Sequence, residues 1–448
     1  MPNPPGKARN GSGSTFTREW LGDAEVPAGA IQFRAVSFNL LADGLAHGTP
    51  AGTQLPAPPA RSDWKAPLVP SGIAFVTTAQ SASEQPKSFR CPEPHLAWHR
   101  RWPKLQEEIL SHGADVLGLQ ELDFTGDQNH ADAILRDLEG EGYAFAVARK
   151  KGRACDGVAI LWRRERLEAV GQPQIWKLSS NVHVAIAQKL RLDGGPEFLA
   201  VATHLKAGES VAAETERLSQ AEGLLCEIRR RLLPTLVLAD LNSNCRPLYG
   251  WEGQALPPRV YEHLRAAGFR SAYHAVAGEE PAFTCWGGWQ GFDVAGVFDY
   301  VLCLGQRLVP VRVLSLPPAE EVLKFRDRLP NESYPSDHLA MVADIILSPA
   351  PKATSASTGP APQNGMARRN GAVSSQRAVP NGVARENGIS SAPGEEAVQE
   401  CAFWRRLLDT LRLRCPCRFR PSQENGGNGA ARAVKRGPDS GGKGRRRR

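Results

Sequence analysis

Between residues 31 and 347, short apolar runs repeatedly end on a polar residue able to do chemistry. The run from Ile31 to Phe38 leads into Asn39, and Asp115 to Leu119 leads into Gln120-Glu121. A run over 197–203 stops at His204, and Thr235 to Ala239 stops at Asp240-Leu241-Asn242. Runs of this length read as strands. In the first, Ile31, Phe33 and Ala35 alternate with Gln32 and Arg34, the pattern of a half-buried strand. Further strands are predicted near 144–148, 157–162, 183–190, 298–303, 310–315 and 339–346. Helical spacing runs over 95–112 through Trp98, Trp102, Leu105 and Ile109, around 131–138, and over 211–231. Pro103 leaves the start of the first helix open, because proline suits only a first turn. A chain of strands with helices inserted between some of them is an α/β fold. Its strand-end loops can gather polar residues on one face of a sandwich.

The globular part is expected over 31–347. Residues 1–30, rich in Gly, Pro and Ser, read as a flexible leader. Residues 48–88 hold seven prolines and read as a surface insertion. Residues 348–448 read as a basic low-complexity tail, disordered over 350–400 and 421–448, with an amphipathic helix over 401–414 between. Residues 351–448 carry 19 Lys+Arg against 7 Asp+Glu, a net of +12 out of totals of 55 and 47. Residues 1–350 are left with 36 against 40, a net of −4, so the basicity gives no sign of a nucleic-acid groove on the folded part. The tail offers an RNA-attracting or nuclear-targeting patch at Lys443 and Arg445–Arg448. Cys401–Arg420 offers an anionic-membrane contact, with Cys415 or Cys417 as acylation sites.

The nine cysteines include no CxxC pair, which argues against a disulfide framework or a zinc cage. Cys91, Cys155, Cys226, Cys245, Cys285 and Cys303 are expected as small buried hydrophobes. No apolar run reaches the 18 residues of a membrane span, and the N-terminus lacks the apolar core of a secretory signal. The expected setting is intracellular and cytoplasmic, with organellar and nuclear placement as alternatives, and the expected state is a monomer.

Six polar clusters remain to be explained: Asn39; Glu121; His204 with Lys206; Asp240 with Asn242; Asp299; and Asp337 with His338. A lone Glu after a strand is ordinarily a solvated turn residue, and a lone Asp-His pair is ordinarily a cap. Six such clusters at strand ends in one chain point to a site. Carboxylates without a Cys/His cluster favour a hard cation such as Mg²⁺ over zinc. A carboxylate-Asn pair can orient and deprotonate a water, and an Asp-His pair can hold an imidazole against a phosphoryl oxygen. Together they describe metal-assisted hydrolysis of a phosphoester.

The ordered set Ser37-Phe38-Asn39-Leu40-Leu41, Leu119-Gln120-Glu121, Thr203-His204-Leu205, Ala239-Asp240-Leu241-Asn242, Phe298-Asp299-Tyr300 and Ser336-Asp337-His338 resembles the endonuclease/exonuclease/phosphatase superfamily. Thr203 to Ala207, Val184 to Gln188 and Tyr334 to Leu339 are closest to its nocturnin-like, deadenylase-related group. The resemblance implies a two-sheet α/β sandwich with the site at one edge. It implies that Glu121 holds Mg²⁺, with Mn²⁺ as an alternative, and that Asn39 lies close by. By the same resemblance His204 contacts the scissile phosphate, and Asp240 and Asn242 position water and phosphate. Asp299 orients His338, His338 stabilises transition-state charge, Asp337 supports the site, and Lys150 and Lys206 bind substrate phosphate.

Two departures stand out. Gly208 replaces an arginine usual in that group, so one phosphate-binding cation is lost or supplied by Arg217. Leu241 replaces a phenylalanine. The substrate implied is an adenine nucleotide. The leading expectation is removal of the 2′-phosphate of NADP(H), and the alternatives are 3′–5′ degradation of poly(A) RNA and a non-catalytic scaffold that binds RNA or membrane.

Overall fold

The computed structural model describes residues 16–23, 25–47, 88–125, 130–152, 154–179, 182–249 and 255–349. Most of residues 48–88, the tail beyond 349 and the 401–414 helix lie outside the described residues.

Two large sheets face each other. The first runs in the order Trp20–Leu21, Leu308–Leu314, Met341–Leu347, Ile31–Asn39, Val116–Asp123, Asp156–Arg163, Tyr143–Arg149. The second runs Arg270–Ser271, Asp299–Leu304, Thr235–Asp240, Glu197–His204, Val184–Leu192, Leu167–Ala169, with Gln174–Lys177 also on Val184–Leu192. Each contains one parallel pair, Ile31–Asn39 with Val116–Asp123 and Glu197–His204 with Thr235–Asp240. Parallel neighbours need a crossover. Helix Trp98–Ser111 lies within the first connection and Val211–Arg229 within the second.

The burial pattern explains why these sequences form layers. Strand Ile31–Asn39 sends Phe33 and Ala35 into the space between the sheets, beside Phe198, Leu236, Leu238 and Ile345. It sends Val36 and Phe38 to the opposite face, beneath Leu105 and Ile109 of helix Trp98–Ser111 and Ile134 of helix His130–Gly140. The second sheet is covered the same way by Leu224 and Ile228 of helix Val211–Arg229 and Val260 and Leu264 of helix Arg259–Ala266. The result is a helix–sheet–sheet–helix sandwich, the two-sheet α/β architecture expected. Gly118 lets the sheets approach closely there, since a Cβ would sit 2.3 Å from the Cβ of Leu238.

The leader needs correction. Trp20–Leu21 is an edge strand on Leu308–Leu314, and Phe16 is buried against Tyr334 with ring centroids 5.5 Å apart. Arg18 donates from Nη2 to the Ala340 carbonyl at 2.7 Å, and Trp20 lies between the guanidinium groups of Arg34 and Arg312. Pro103 lies inside helix Trp98–Ser111 rather than at its start. Of the six cysteines, Cys91, Cys285 and Cys303 are buried, whereas Cys155, Cys226 and Cys245 are only partly so.

Candidate active site

The strand registers assemble the site. In the second sheet Asp240 is paired with His204 on one neighbour and with Asp299 on the other, so three chemistry-bearing residues form one row at the strand ends. In the first sheet Asn39 lies opposite Gln120. The ladder to Asp156–Arg163 then slips between Gln120 and Leu122, which marks a bulge at Glu121. Glu121 has φ +58°, and Leu41 and Asn242 are also left-handed at +58° and +49°. That conformation is costly for a side-chain-bearing residue and tends to collect at functional sites.

Asp240 is the hub. Its Oδ2 accepts a hydrogen bond from Asn39 Nδ2 at 2.9 Å and lies 3.5 Å from His204 Nε2 and 3.9 Å from His338 Nε2. Its Oδ1 accepts the Asn242 backbone N–H at 2.8 Å. Burial pushes this carboxyl up, but the imidazoles of His204 and His338 and the bonds from Asn39 and Asn242 outweigh burial and hold it below its ordinary range. Asn39 Nδ2 also donates to Glu121 Oε1 at 3.1 Å, and the Ala42 N–H donates to Glu121 Oε2 at 2.9 Å. Among the described residues each Glu121 oxygen accepts a single hydrogen bond, which leaves a lone pair on each.

His338 Nδ1 lies 2.8 Å from Asp299 Oδ2, which also accepts from Thr284 Oγ1 at 2.7 Å. Burial opposes a charged ring, but Asp299, with Asp337 and Asp240 beyond it, prevails and pushes His338 well above the usual imidazole range. Ser336 fixes the loop: its Oγ donates to the Asn39 carbonyl at 2.8 Å and accepts the His338 N–H at 3.1 Å.

Three expected phosphate contacts are placed differently. Lys150 is buried, ion-paired with Asp156 at 2.7 Å and 3.1 Å from His204 Nδ1. Lys150 Nζ and Asp156 Oδ2 both face His204 Nδ1, so Lys150 is engaged within the site rather than standing free for phosphate. Arg217, 3% exposed, pairs with Glu214 at 2.7 Å and donates from Nη1 to the carbonyls of Lys206 and Gly208. It is a buried brace of the loop carrying Lys206, which corrects its expected role as a phosphate-binding cation. The Asn242 side chain donates to the Leu205 carbonyl at 3.2 Å and braces the same loop. Lys206 is half-buried, and among the described residues its ammonium has no ion pair.

Two further groups carry the site without a signal in the strand-end pattern. Asp156 lies between Lys150 and His204, 3.5 Å from His204 Nδ1. Burial would raise its carboxyl, but His204 and Lys150 hold it well below the usual range. Arg101, 1% exposed, donates to the carbonyls of Leu96, Leu40, Leu41 and Pro335 and ties together the loops after Asn39 and before His338.

The donor set fits a hard divalent cation. Among the described residues, buried Asp299 Oδ1 has no hydrogen-bond partner. Asp337 is pushed up to about 6, by burial first and then by Glu121 and Asp240, the mark of crowded negative charge that a cation relieves. Glu121, with free lone pairs on both oxygens, is positioned to hold it.

A family model described as the Endonuclease/Exonuclease/phosphatase family matches residues 98–338, more than half of the chain. Nocturnin of Drosophila melanogaster is 29% identical over 290 residues, covering 58% of this chain and 44% of that relative, so the chain spans less than half of its length. Among solved structures, the human Nocturnin catalytic domain with bound sulfate anion aligns with TM-score 0.50 at 22% identity, covering 75% of this chain and 98% of that one. ANGEL2, described as a 2′,3′-cyclic phosphatase, aligns with TM-score 0.52 at 20% identity, covering 74% and 99%. Both share the fold. Among the described residues no helix is long and apolar enough to cross a membrane.

Proposed function

Because this chain belongs to the endonuclease/exonuclease/phosphatase family, we propose that it is a divalent-metal-dependent phosphoesterase that hydrolyses an adenine nucleotide, with the 2′-phosphate of NADP(H) as its substrate. The observation that carries this reading is the spacing around Asp240 Oδ2. Two imidazole nitrogens stand 3.5 and 3.9 Å away, too far to bond it well. A water between them would be held by all three, donating to Asp240, and a phosphoryl oxygen would be held by the two imidazoles.

On this reading Asp240, kept ionised, accepts the proton of the attacking water while Asn39 fixes its Oδ2. His204 donates from Nε2 to a phosphoryl oxygen, its other nitrogen facing Lys150 and Asp156. His338, protonated and held by Asp299, stabilises the charge that builds as the P–O bond breaks. A Mg²⁺ or Mn²⁺ ion held by Glu121 would, when bound, neutralise phosphate charge in the transition state.

The substrate follows from the scarcity of free cations. With Lys150 and Arg217 engaged internally, Lys206 is the cation left to grip phosphate, and residues 1–350 are net −4. That suits one compact phosphorylated nucleotide better than a strand, which is gripped by a basic groove and stacking aromatics. Purified full-length chain in Mg²⁺ is expected to release phosphate from NADPH. Lys206→Ala is expected to lower kcat/KM about tenfold, the loss of one charge-assisted contact. Ready 3′-end degradation of A-tailed RNA with NADPH untouched would replace this reading with an exoribonuclease. Binding to RNA or anionic vesicles without hydrolysis of either substrate would replace it with a scaffold.

A further inference from the structure

His338 belongs to a second trio that the reaction does not use. Cys285 and His338 lie opposite each other in a short β-bridge. It is flanked by the Trp286 N–H donating to the Asp337 carbonyl at 2.9 Å and the Leu339 N–H donating to the Thr284 carbonyl at 2.7 Å. Opposed residues on paired strands are side-chain neighbours. A sulfur, a carboxylate oxygen and an imidazole nitrogen, from Cys285, Asp337 and His338, thus gather within 4.8 Å of one another. All three residues are buried, Asp337 to 8% exposure, and among the described residues Asp337 Oδ1 has no hydrogen-bond partner. An unsatisfied buried carboxylate is costly, and the hydrolysis leaves Cys285 without a task.

The donors differ in kind from those at Glu121. One thiolate, one imidazole and one carboxylate are a borderline-soft set that selects Zn²⁺ over Mg²⁺, and three protein ligands leave a fourth position to water. We propose that Cys285, Asp337 and His338 form an inhibitory zinc site, separate from the hard-cation position at Glu121. Binding breaks the Cys285 S–H bond and one N–H bond of the protonated His338, forms an S–Zn and an N–Zn bond and releases two protons to solvent, with no change of oxidation state. Without the ion, burial pushes the thiol up to about 12, so it stays protonated at neutral pH. His338 Nδ1 is held by Asp299 and Nε2 faces Asp240. Either nitrogen that zinc takes is one the hydrolysis needs, so zinc occupancy and turnover exclude each other. The inhibition rests on the phosphoesterase reading, whereas the binding does not.

The test uses full-length chain in Mg²⁺, titrated with Zn²⁺ against a chromogenic chelator and with Co²⁺ by absorption, wild type beside Cys285→Ser. Cys285→Ala serves as second variant, and thermal melts check that each folds. The expected result is a thiolate-to-cobalt band in the wild type minus variant difference and a Zn²⁺ affinity at least about tenfold weaker in the variants, which lose a ligand rather than an outer partner. Zn²⁺ is expected to halt wild-type turnover at concentrations that leave the variants working, while their rates in Mg²⁺ alone are kept. Equal affinity and no difference band in both variants would overturn the site, whether or not the protein hydrolyses anything. Zinc bound through Cys285 with turnover undisturbed would overturn the inhibition. A chain that shows the band but turns over neither substrate supports the site and counts against the phosphoesterase reading alone.

Discussion

Strand Thr235–Asp240 sends Leu236 and Leu238 into the apolar space between the sheets and ends on Asp240. A single residue, Ala239, separates Leu238, among other hydrocarbons, from a buried carboxylate between two imidazoles and an amide. The interior is held by area removed from water, which any well-fitting apolar side chain supplies. The edge is held by individual partners: Asn39 for Asp240 and Glu121, Lys150 for His204, Asp299 for His338, and backbone carbonyls for Arg101. It also carries three left-handed residues, Leu41, Glu121 and Asn242, and buried oxygens without partners. The interior supplies stability, and the edge uses some of it to hold charge where chemistry needs it.

That contrast breaks first at Arg101. Arg101→Met keeps bulk but leaves buried carbonyls unpaired, and it is expected to cost about 3–5 kcal/mol in urea unfolding and to lower the rate. Arg101→Lys should not rescue it, because one ammonium cannot reach four carbonyls in a planar fork. Unchanged stability in Arg101→Met would show that the edge needs no such tie.

Asp337 tests whether the edge opposes folding. Its carboxyl is pushed from 3.8 up to about 6, so the fold favours its protonated form. The contribution is present at low pH and is lost as pH rises through about 6. In chelator, Asp337→Asn should therefore exceed wild type by up to about 3 kcal/mol above that pH, with the gap closing below about pH 4. Melting curves across pH decide it, and a wild type as stable as the variant at alkaline pH contradicts the charge crowding.

The smallest effect belongs to the interior. Ile160 is fully buried between the sheets. Ile160→Val should cost about 0.5–1.5 kcal/mol in unfolding and leave kcat unchanged. A large loss of rate would mean that the interior also positions the catalytic groups.

The strand-end residues were legible because a buried run that stops on Glu, His or Asp is visible in one dimension. Registers then placed His204, Asp240 and Asp299 in one row. Arg101 was hidden because its helix reads as a Trp98, Trp102, Leu105, Ile109 stripe, and the Arg100-Arg101 pair beside it reads as solvated. Its acceptors Leu40 and Pro335 lie 61 and 234 residues away. Lys150 and Arg217 were legible as cations but not as spent ones, since the Lys150 partner Asp156 opens a strand rather than ending one. The hairpin Cys285–Trp289 and Phe292–Gly296 gave no strand signal, because Gly287 and Gly288 interrupt its pattern and its turn is Gln290-Gly291. In the leader, Gly, Pro and Ser outweighed Phe16 and Trp20, whose partners lie near the other end of the fold.

The most direct test of a metal-dependent phosphoesterase at this edge is Glu121→Ala, assayed on whichever substrate the wild type turns over. Glu121 is expected to hold the cation, and its loss should lower the rate on the order of 10²-fold or more. The variant should melt with the wild type, and excess chelator should silence the wild type to the same degree. Full activity of Glu121→Ala in excess chelator would contradict the account.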